Sequence, residues 1–128
     1  MVKGRVVSLQ DDEILNKLLS KEISSEEFEV YEVNNGREGL VVIREDSKPV
    51  LVILDPLVAE VDGFTVLEEL KSSEKTKDIP VIIISILSGE EDIKRGLALG
   101  AEEYIVKSQH SMFEILERVR YHLGNKKQ

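Results

Sequence analysis

Carboxylates, a hydroxyl and an ammonium recur along this chain at the ends of short apolar runs. Asp11 and Asp12 follow the run at 6–9, Asp55 the run at 50–54, Ser85 the run at 81–84, and Lys107 the run at 104–106. Three carboxylates within a few ångströms of one another repel unless something cationic sits among them. Hard oxygen donors in that number suit Mg²⁺, which keeps several waters and takes one or two carboxylates plus a phosphate oxygen. The chemistry this set permits is phosphoryl transfer onto an aspartate. Asp55 is the expected nucleophile, forming an acyl phosphate. Mg²⁺ held by Asp11 or Asp12 with Asp55 would neutralise the transferring group, while Lys107 and the Ser85 hydroxyl pair its other oxygens. The product carries nearly two negative charges, and Ser85 can respond by moving toward them.

The elements that must position these groups are legible in the same runs. Residues 50–54 are five consecutive Val, Leu and Ile, too few for a helix core and β-branched in bias, which predicts a strand buried on both faces. Pro56 offers no backbone N–H and stops that strand, so Asp55 stands at its tip. Residues 6–9, 28–33, 81–84 and 104–106 supply four further strand signals, the one at 28–33 mixed and near an edge. Helices are expected between them. Ile14, Leu15, Leu18 and Leu19 mark the first, Leu40, Val41 and Ile43 the second, and Phe64, Leu67 and Leu70 the third, which opens at Asp62-Gly63. The fourth starts at 88–91 with Ile93, Leu97 and Ala98 inward and Gly100 capping it. The fifth spans 111–123 with Met112, Phe113, Leu116 and Val119 on its apolar face. Their apolar faces are expected to be core rather than interface, and His110 and His122 to be surface residues. Strands joined by crossover helices must be parallel, so the predicted fold is a doubly wound α/β sandwich in which all the strand-tip residues leave one edge of the sheet.

Composition bounds the rest. The 128 residues are 41% apolar and 33% charged, the balance of a water-soluble globular domain, and form one domain over 1–128 with no internal repeat. No cysteine is present, which removes disulfides and thiolate metal sites and is compatible with a reducing cytosol. No apolar run approaches the ~20 residues of a membrane span, and a cytoplasmic location is expected. The net charge of −8 would repel a phosphate backbone, and the Lys126-Lys127 pair is too small a patch to offset it, so direct nucleic-acid binding is not expected.

The set Asp11-Asp12, Asp55…Asp62-Gly63, the run 79–82 with Ser85, and the run 100–107 ending in Lys107 resembles the receiver domain of two-component response regulators, in order and spacing over nearly the whole chain. The resemblance implies a flavodoxin-like fold with strand order 2-1-3-4-5 and five helices. It implies that Asp55 is the phospho-acceptor, that Asp11 and Asp12 are the metal pair, and that the backbone carbonyl of Leu57 completes the protein's ligands to Mg²⁺. It implies that Ser85 and Tyr104 are a switch pair and that the region 89–123 carries the output face, through which members dimerise or reach an effector. The implied phosphodonor is a histidine kinase or phosphotransfer protein. Four positions depart from the family pattern: Pro56, Ala59, Ile86 where a small residue is usual, and Ser108 where proline is usual. They bear on rates and switching, since no reacting group is lost.

Other functions fit less well. A pseudo-receiver that docks or dimerises without phosphorylation shares the fold, but the acidic residues are intact. A flavodoxin-type electron carrier needs a hydroxyl-rich loop after its first strand, where this chain has Gln10-Asp11-Asp12, and the chain has no Trp to stack on a flavin. An aspartyl-phosphate hydrolase of the haloacid dehalogenase type needs an acid two residues after its nucleophile, where this chain has Leu57.

Overall fold

The structure is a computed structural model that describes residues 2–45 and 47–126; Lys127 of the terminal basic pair lies outside the described residues. Five strands alternate with five helices: β1 (Arg5–Leu9), α1 (Glu13–Ser25), β2 (Glu29–Val33), α2 (Gly36–Ile43), β3 (Leu51–Leu54), α3 (Gly63–Lys71), β4 (Val81–Ser85), α4 (Glu90–Ala98), β5 (Glu103–Val106) and α5 (Met112–Lys126). All four strand pairs are parallel, and the sheet order is β2-β1-β3-β4-β5. The predicted topology and strand order are therefore observed. A 3₁₀ turn, Lys107–Gln109, links β5 to α5.

Alternation along the central strands divides the core in two. Val7, Leu9, Val52, Leu54 and Ile83 face α2 and α3. Val6, Leu51, Ile53, Ile82 and Ile84 face α1 and α5. Strands buried on both faces have no polar positions to spare, which is why β3 reads as an unbroken apolar run. β2 lies at the edge and is largely exposed, with Glu29, Tyr31 and Glu32 facing water.

Helix α3 buries all its apolar residues, Phe64, Val66, Leu67 and Leu70, but α1 and α5 bury a narrower stripe than their apolar residues suggest. In α1 the stripe is Leu15, Leu19 and Ile23, at i, i+4 and i+8, while Ile14 is 75% exposed. In α5 it is Ile115, Val119 and Leu123, and the predicted Met112 and Phe113 stand in solvent. Ser111 starts that helix with a reciprocal cap: Glu114 N donates to Ser111 Oγ at 3.1 Å and Ser111 N to Glu114 Oε1 at 2.8 Å. The expectation for α4 is corrected. Its one buried residue is Gly96, while Leu97 and Ala98 are exposed. A short helix resting on a glycine lies close to the sheet but buries little of its own side-chain surface.

His122 is also corrected. It is buried, and its Nε2 lies 2.7 Å from Glu103 Oε1, beside the bidentate pair from Arg118 to the same carboxylate at 2.7 and 2.9 Å. Its position one turn beyond Val119 on the inward side of α5 explains the burial, and the carboxylate on β5 satisfies the ring. His110 is a surface residue as expected, 3.9 Å from Glu114.

Candidate functional site

Asp55 follows the last residue of β3 and is 3% exposed. Its backbone N–H donates to Leu9 O at 2.9 Å, which fixes the residue against the end of β1. The side chain accepts from Leu57 N at 2.9 Å through Oδ1, while Oδ2 lies 3.7 Å from Lys107 Nζ. Burial pushes the Asp55 carboxyl above its ordinary range. The Leu57 hydrogen bond and the Lys107 ammonium pull it down, and the charge of Asp11 pushes it up again. Pro56 and Leu57 make the turn out of the strand, and α3 docks directly on it. Gly63 N donates to Pro56 O at 2.9 Å, and a Cβ on Gly63 would fall 2.4 Å from Asp55 O. Only glycine lets the helix start so close to the acceptor. Asp62 caps the same helix through Thr65 N at 3.0 Å. Ala59 pairs with Asn35 as an isolated bridge, so the loop after Asp55 is tied to the start of α2.

At the end of β1 the residues divide differently from the sequence expectation. Asp12 is the N-cap of α1: its Oδ1 accepts from Leu15 N at 3.0 Å, and its Oδ2 lies 3.7 Å from Lys107 Nζ. The two residues that leave the strand tip are Gln10 and Asp11. Gln10 N donates to Val33 O, continuing the β1–β2 ladder, and Leu9 is registered with Leu54, so Gln10 and Asp55 leave neighbouring strands side by side. Gln10 is 1% exposed, and neither atom of its amide has a hydrogen-bond partner among the described residues. Leaving such a group unmet costs ~1–3 kcal/mol. Sequence reasoning passed over Gln10 because nothing in its type marks it. Counting one residue past the registered pair Leu9–Leu54 would have found it.

Lys107 stands between two carboxylates, equidistant from Asp12 and Asp55. Its place on the 3₁₀ turn after β5, with Ser108 as the next residue, aims it back across the sheet edge. Ser85, fully buried at the tip of β4, accepts from Leu87 N at 3.0 Å through Oγ. Tyr104 Oη donates to Leu87 O at 2.9 Å. One peptide residue is thus held by both members of the proposed switch pair. Burial pushes the Tyr104 phenol up. A hydrogen bond with Ser85 acts against this, while the charges of Asp92 and Asp55 add to it. The ring fits because α4 presents Gly96 to it: a Cβ there would lie 3.0 Å from Tyr104 Cδ2 and 2.7 Å from Ile83 Cδ1. Ile86 is 62% exposed on the loop that follows.

Among the described residues, no three His, Cys, Asp or Glu side chains are gathered as a metal cluster. The residues present nonetheless fit a hard divalent cation. Asp11 and Asp55 repel one another through space, and a neutral, unpartnered amide is buried beside them. Two carboxylates with room for water and backbone oxygen are the donor set Mg²⁺ accepts. The expected site residues Asp11, Asp12, Asp55, Leu57, Ser85 and Lys107 lie at or next to the carboxyl edge of the sheet, whereas Tyr104 lies within β5, registered with Ile83, and reaches Leu87 O through its hydroxyl.

Comparison with known proteins identifies the family and the fold. A family model described as the response regulator receiver domain matches residues 6–120. The chain is 32% identical over 116 residues to the DNA-binding dual master transcriptional regulator RpaA of Synechocystis, covering 91% of this chain and 47% of that protein. It is 32% identical over 106 residues to the response regulator PleD of Caulobacter vibrioides, covering 83% of this chain and 23% of that protein. The chain thus spans about half or less of the length of these curated relatives. Among solved structures, the phosphorylated cyanobacterial phytochrome response regulator RcpA superposes with a TM-score of 0.82 at 28% identity, with 91% of each chain covered. The non-phosphorylated HemR receiver domain of Leptospira biflexa superposes with a TM-score of 0.81 at 27% identity, with 93% of each covered. No helix among the described residues is long and apolar enough to cross a membrane.

Proposed function

The chain belongs to the response regulator receiver domain family of two-component signalling, and from that premise we propose that it accepts a phosphoryl group on Asp55 and signals the change to a partner. The observation that carries this reading is the environment of Asp55. It is a buried carboxylate at a strand tip, held by Leu57 N, facing Lys107 and repelled by Asp11. A cation joining the site would favour the ionised form of this carboxyl against its burial, and the ionised oxygen is the nucleophile.

In the proposed reaction an oxygen of Asp55 attacks the phosphorus of a phosphohistidine on a histidine kinase or phosphotransfer protein. A P–O bond forms as the P–N bond breaks, and the imidazole leaves with the bonding electron pair and takes up a proton. Bound Mg²⁺ would neutralise the oxygens of the transferring group, held by Asp11, Asp55 and the Leu57 carbonyl, with Asp12 beside them. Lys107, already 3.7 Å from Asp55, pairs a second phosphoryl oxygen. The Ser85 hydroxyl donates to a third, and movement toward it would draw Oγ away from Leu87 N. Tyr104 is coupled to that motion through the carbonyl of the same residue. The chain is then a signalling domain that catalyses only its own phosphorylation and dephosphorylation. Its output face is the surface of α4, β5 and α5, where Leu97 and Phe113 are exposed, and its partner is an effector or a second copy. RpaA is named as DNA-binding, whereas this chain's charge of −8 assigns any contact with DNA to another segment or protein. A cytoplasmic location follows from the kinase partnership.

The test is incubation of the purified chain with Mg²⁺ and acetyl phosphate, read by intact mass, with Asp55→Asn as control. A Mg²⁺-dependent single phosphoryl adduct absent from Asp55→Asn is the expected result. No adduct, together with no binding of beryllofluoride, would overturn the proposal in favour of a phosphorylation-independent docking module.

A further inference from the structure

Asn35-Gly36 is the one Asn-Gly pair in the chain; Asn16, Asn34 and Asn125 are followed by Lys17, Asn35 and Lys126. Glycine has no side chain to shield its nitrogen or restrict its backbone, so here the following backbone N can most readily attack the asparagine amide. Asn35 is the N-cap of α2, and its Oδ1 accepts from Glu38 N at 2.8 Å. That bond draws electron density from Cγ and leaves it more electrophilic. The nucleophile, by contrast, is withheld. Gly36 N donates to Ala59 O at 3.0 Å, and Asn35 is bridged to Ala59. Asn35 also stands in extended backbone, φ −143° and ψ 152°. Closing a flat five-membered ring requires it to leave that conformation, which swings the Gly36 peptide off Ala59.

The clasp is close but strained. Gly36 is buried, and a Cβ there would fall onto Val61 O, so α2 meets the loop at 56–62 backbone to backbone. Glu60, between the two contact residues of that loop, is held at φ 68°, a left-handed conformation that side chains enter rarely and at a cost. The exposed pair from Arg37 to Glu60 at 3.2 Å adds little to the tie. We propose that Asn35 is a site of spontaneous covalent modification that this loop keeps shut, and that its isoaspartyl product releases α2 from the loop for good. In the reaction Gly36 N gives up its proton and attacks Asn35 Cγ. A C–N bond forms, the Cγ–Nδ2 bond breaks, and the amide nitrogen leaves as ammonia, taking up a proton in exchange. Water then opens the succinimide. Attack at one carbonyl gives aspartate in an ordinary backbone, which still caps α2. Attack at the other gives isoaspartate, whose main chain runs through the side-chain carbon and is one atom longer. The contact that excludes a Cβ on Gly36 also excludes that extra atom, so the lengthened chain cannot return Gly36 to Ala59 O and Val61 O together.

The test follows the whole chain, folded and in guanidinium chloride, in one mildly alkaline buffer, by intact mass and peptide mapping. In the unfolded chain Asn35 should convert ahead of Asn16, Asn34 and Asn125. In the folded chain two hydrogen bonds must open, each worth about fivefold in population, so conversion should be slower by about twenty-five-fold or more. The slowing should match the protection of the Gly36 amide against hydrogen exchange, because both need the same opening. Equal rates in the folded and unfolded chain, or a slowing unrelated to Gly36 protection, would overturn the role of the loop. The isoaspartyl chain, separated by chromatography, should lose the native ¹⁵N–¹H resonances of Gly36 and Val61 and melt lower than wild type. Asn35→Asp should keep both the resonances and the melting temperature. An isoaspartyl chain that keeps them, or an Asn35→Asp chain that loses them as well, would overturn the release of α2.

Discussion

Replacing Gly96 with alanine tests whether α4 and Tyr104 are packed as described. The added Cβ would stand 2.7 Å from Ile83 Cδ1 and 3.0 Å from Tyr104 Cδ2, where carbon contacts settle at ~3.5–4.0 Å. Ile83 is fully buried in a central strand and has nowhere to go. Tyr104 is only half-buried, so its ring is the part that can leave, at the loss of its bond to Leu87 O, worth ~1 kcal/mol. Overpacking costs ~1–3 kcal/mol. Because Gly96 is the only buried residue of α4, the helix can also lift slightly, which places the cost in the lower half of that range. Alanine in a helix interior returns ~1 kcal/mol over glycine. The net expectation is a destabilisation of ~1–2 kcal/mol, or about 3–8 °C in Tm for a chain of this size, with Tyr104 swung toward solvent. Urea and thermal melts followed by far-UV circular dichroism give the first quantity, and aromatic ¹³C–¹H NMR of Tyr104 gives the second. An unchanged or higher midpoint with the Tyr104 ring resonances in place would refute the reasoning.

Three further expectations follow from charge. Asp55 has its carboxyl raised above 3.8, chiefly by burial, so the folded chain binds a proton more tightly there than the unfolded chain, and stability falls as pH rises through that window. In EDTA, Asp55→Asn should therefore show a higher urea midpoint than wild type at pH 7, with the gap closing as pH falls toward 4; a gap independent of pH would count against it. Glu103 is shifted the other way. Burial raises its carboxyl, but the hydrogen bonds from Arg118 and His122 outweigh this and hold it below 4.5, so its stabilisation is present above that value and lost as pH falls through the lowered one. Urea melts of wild type and Glu103→Gln should differ most near neutrality and converge in acid, and curves that stay parallel would exclude the network as a source of acid sensitivity. Lys107→Met should slow phosphoryl transfer from acetyl phosphate about a hundredfold and push the Asp55 carboxyl further up, the first read by intact mass over time and the second by ¹³C NMR titration of the Asp55 carboxyl.

The strand tips were legible in the sequence because a strand buried on both faces is a run of Val, Leu and Ile whose end is conspicuous, and parallel topology sends every such end to one edge. Asp55, Ser85 and Lys107 were found that way. The helices were less legible. Ile14 and Leu18 share the spacing of Leu15 and Leu19, but which stripe faces the sheet is set by the angle at which the helix leaves the strand, and here it is Leu15, Leu19 and Ile23. In α4 the informative residue was Gly96, which apolar periodicity ignores because it has no side chain to count. His122 could not be placed without knowing that Glu103, itself held by Arg118, would reach it across the β5–α5 step. Asp12 looked like one half of an acidic pair, yet only the register of β1 against β3 shows that Gln10 and Asp11 are the pair at the tip.

The shared position of Lys107 bears on how this chain folds. Asp12 caps α1, Asp55 follows β3 and Lys107 follows β5, and closing contacts so distant in sequence costs more loop entropy than a local cap does. The cap of α1 through Asp12 Oδ1 is local and can form early. The pairing of its other oxygen with Lys107 must wait for β5 to dock beside β4. The two oxygens of one carboxylate therefore serve one local and one long-range contact. A chain lacking β5 and the turn after it would keep the local cap of α1 but would leave Asp12 and Asp55 without the counter-charge of Lys107.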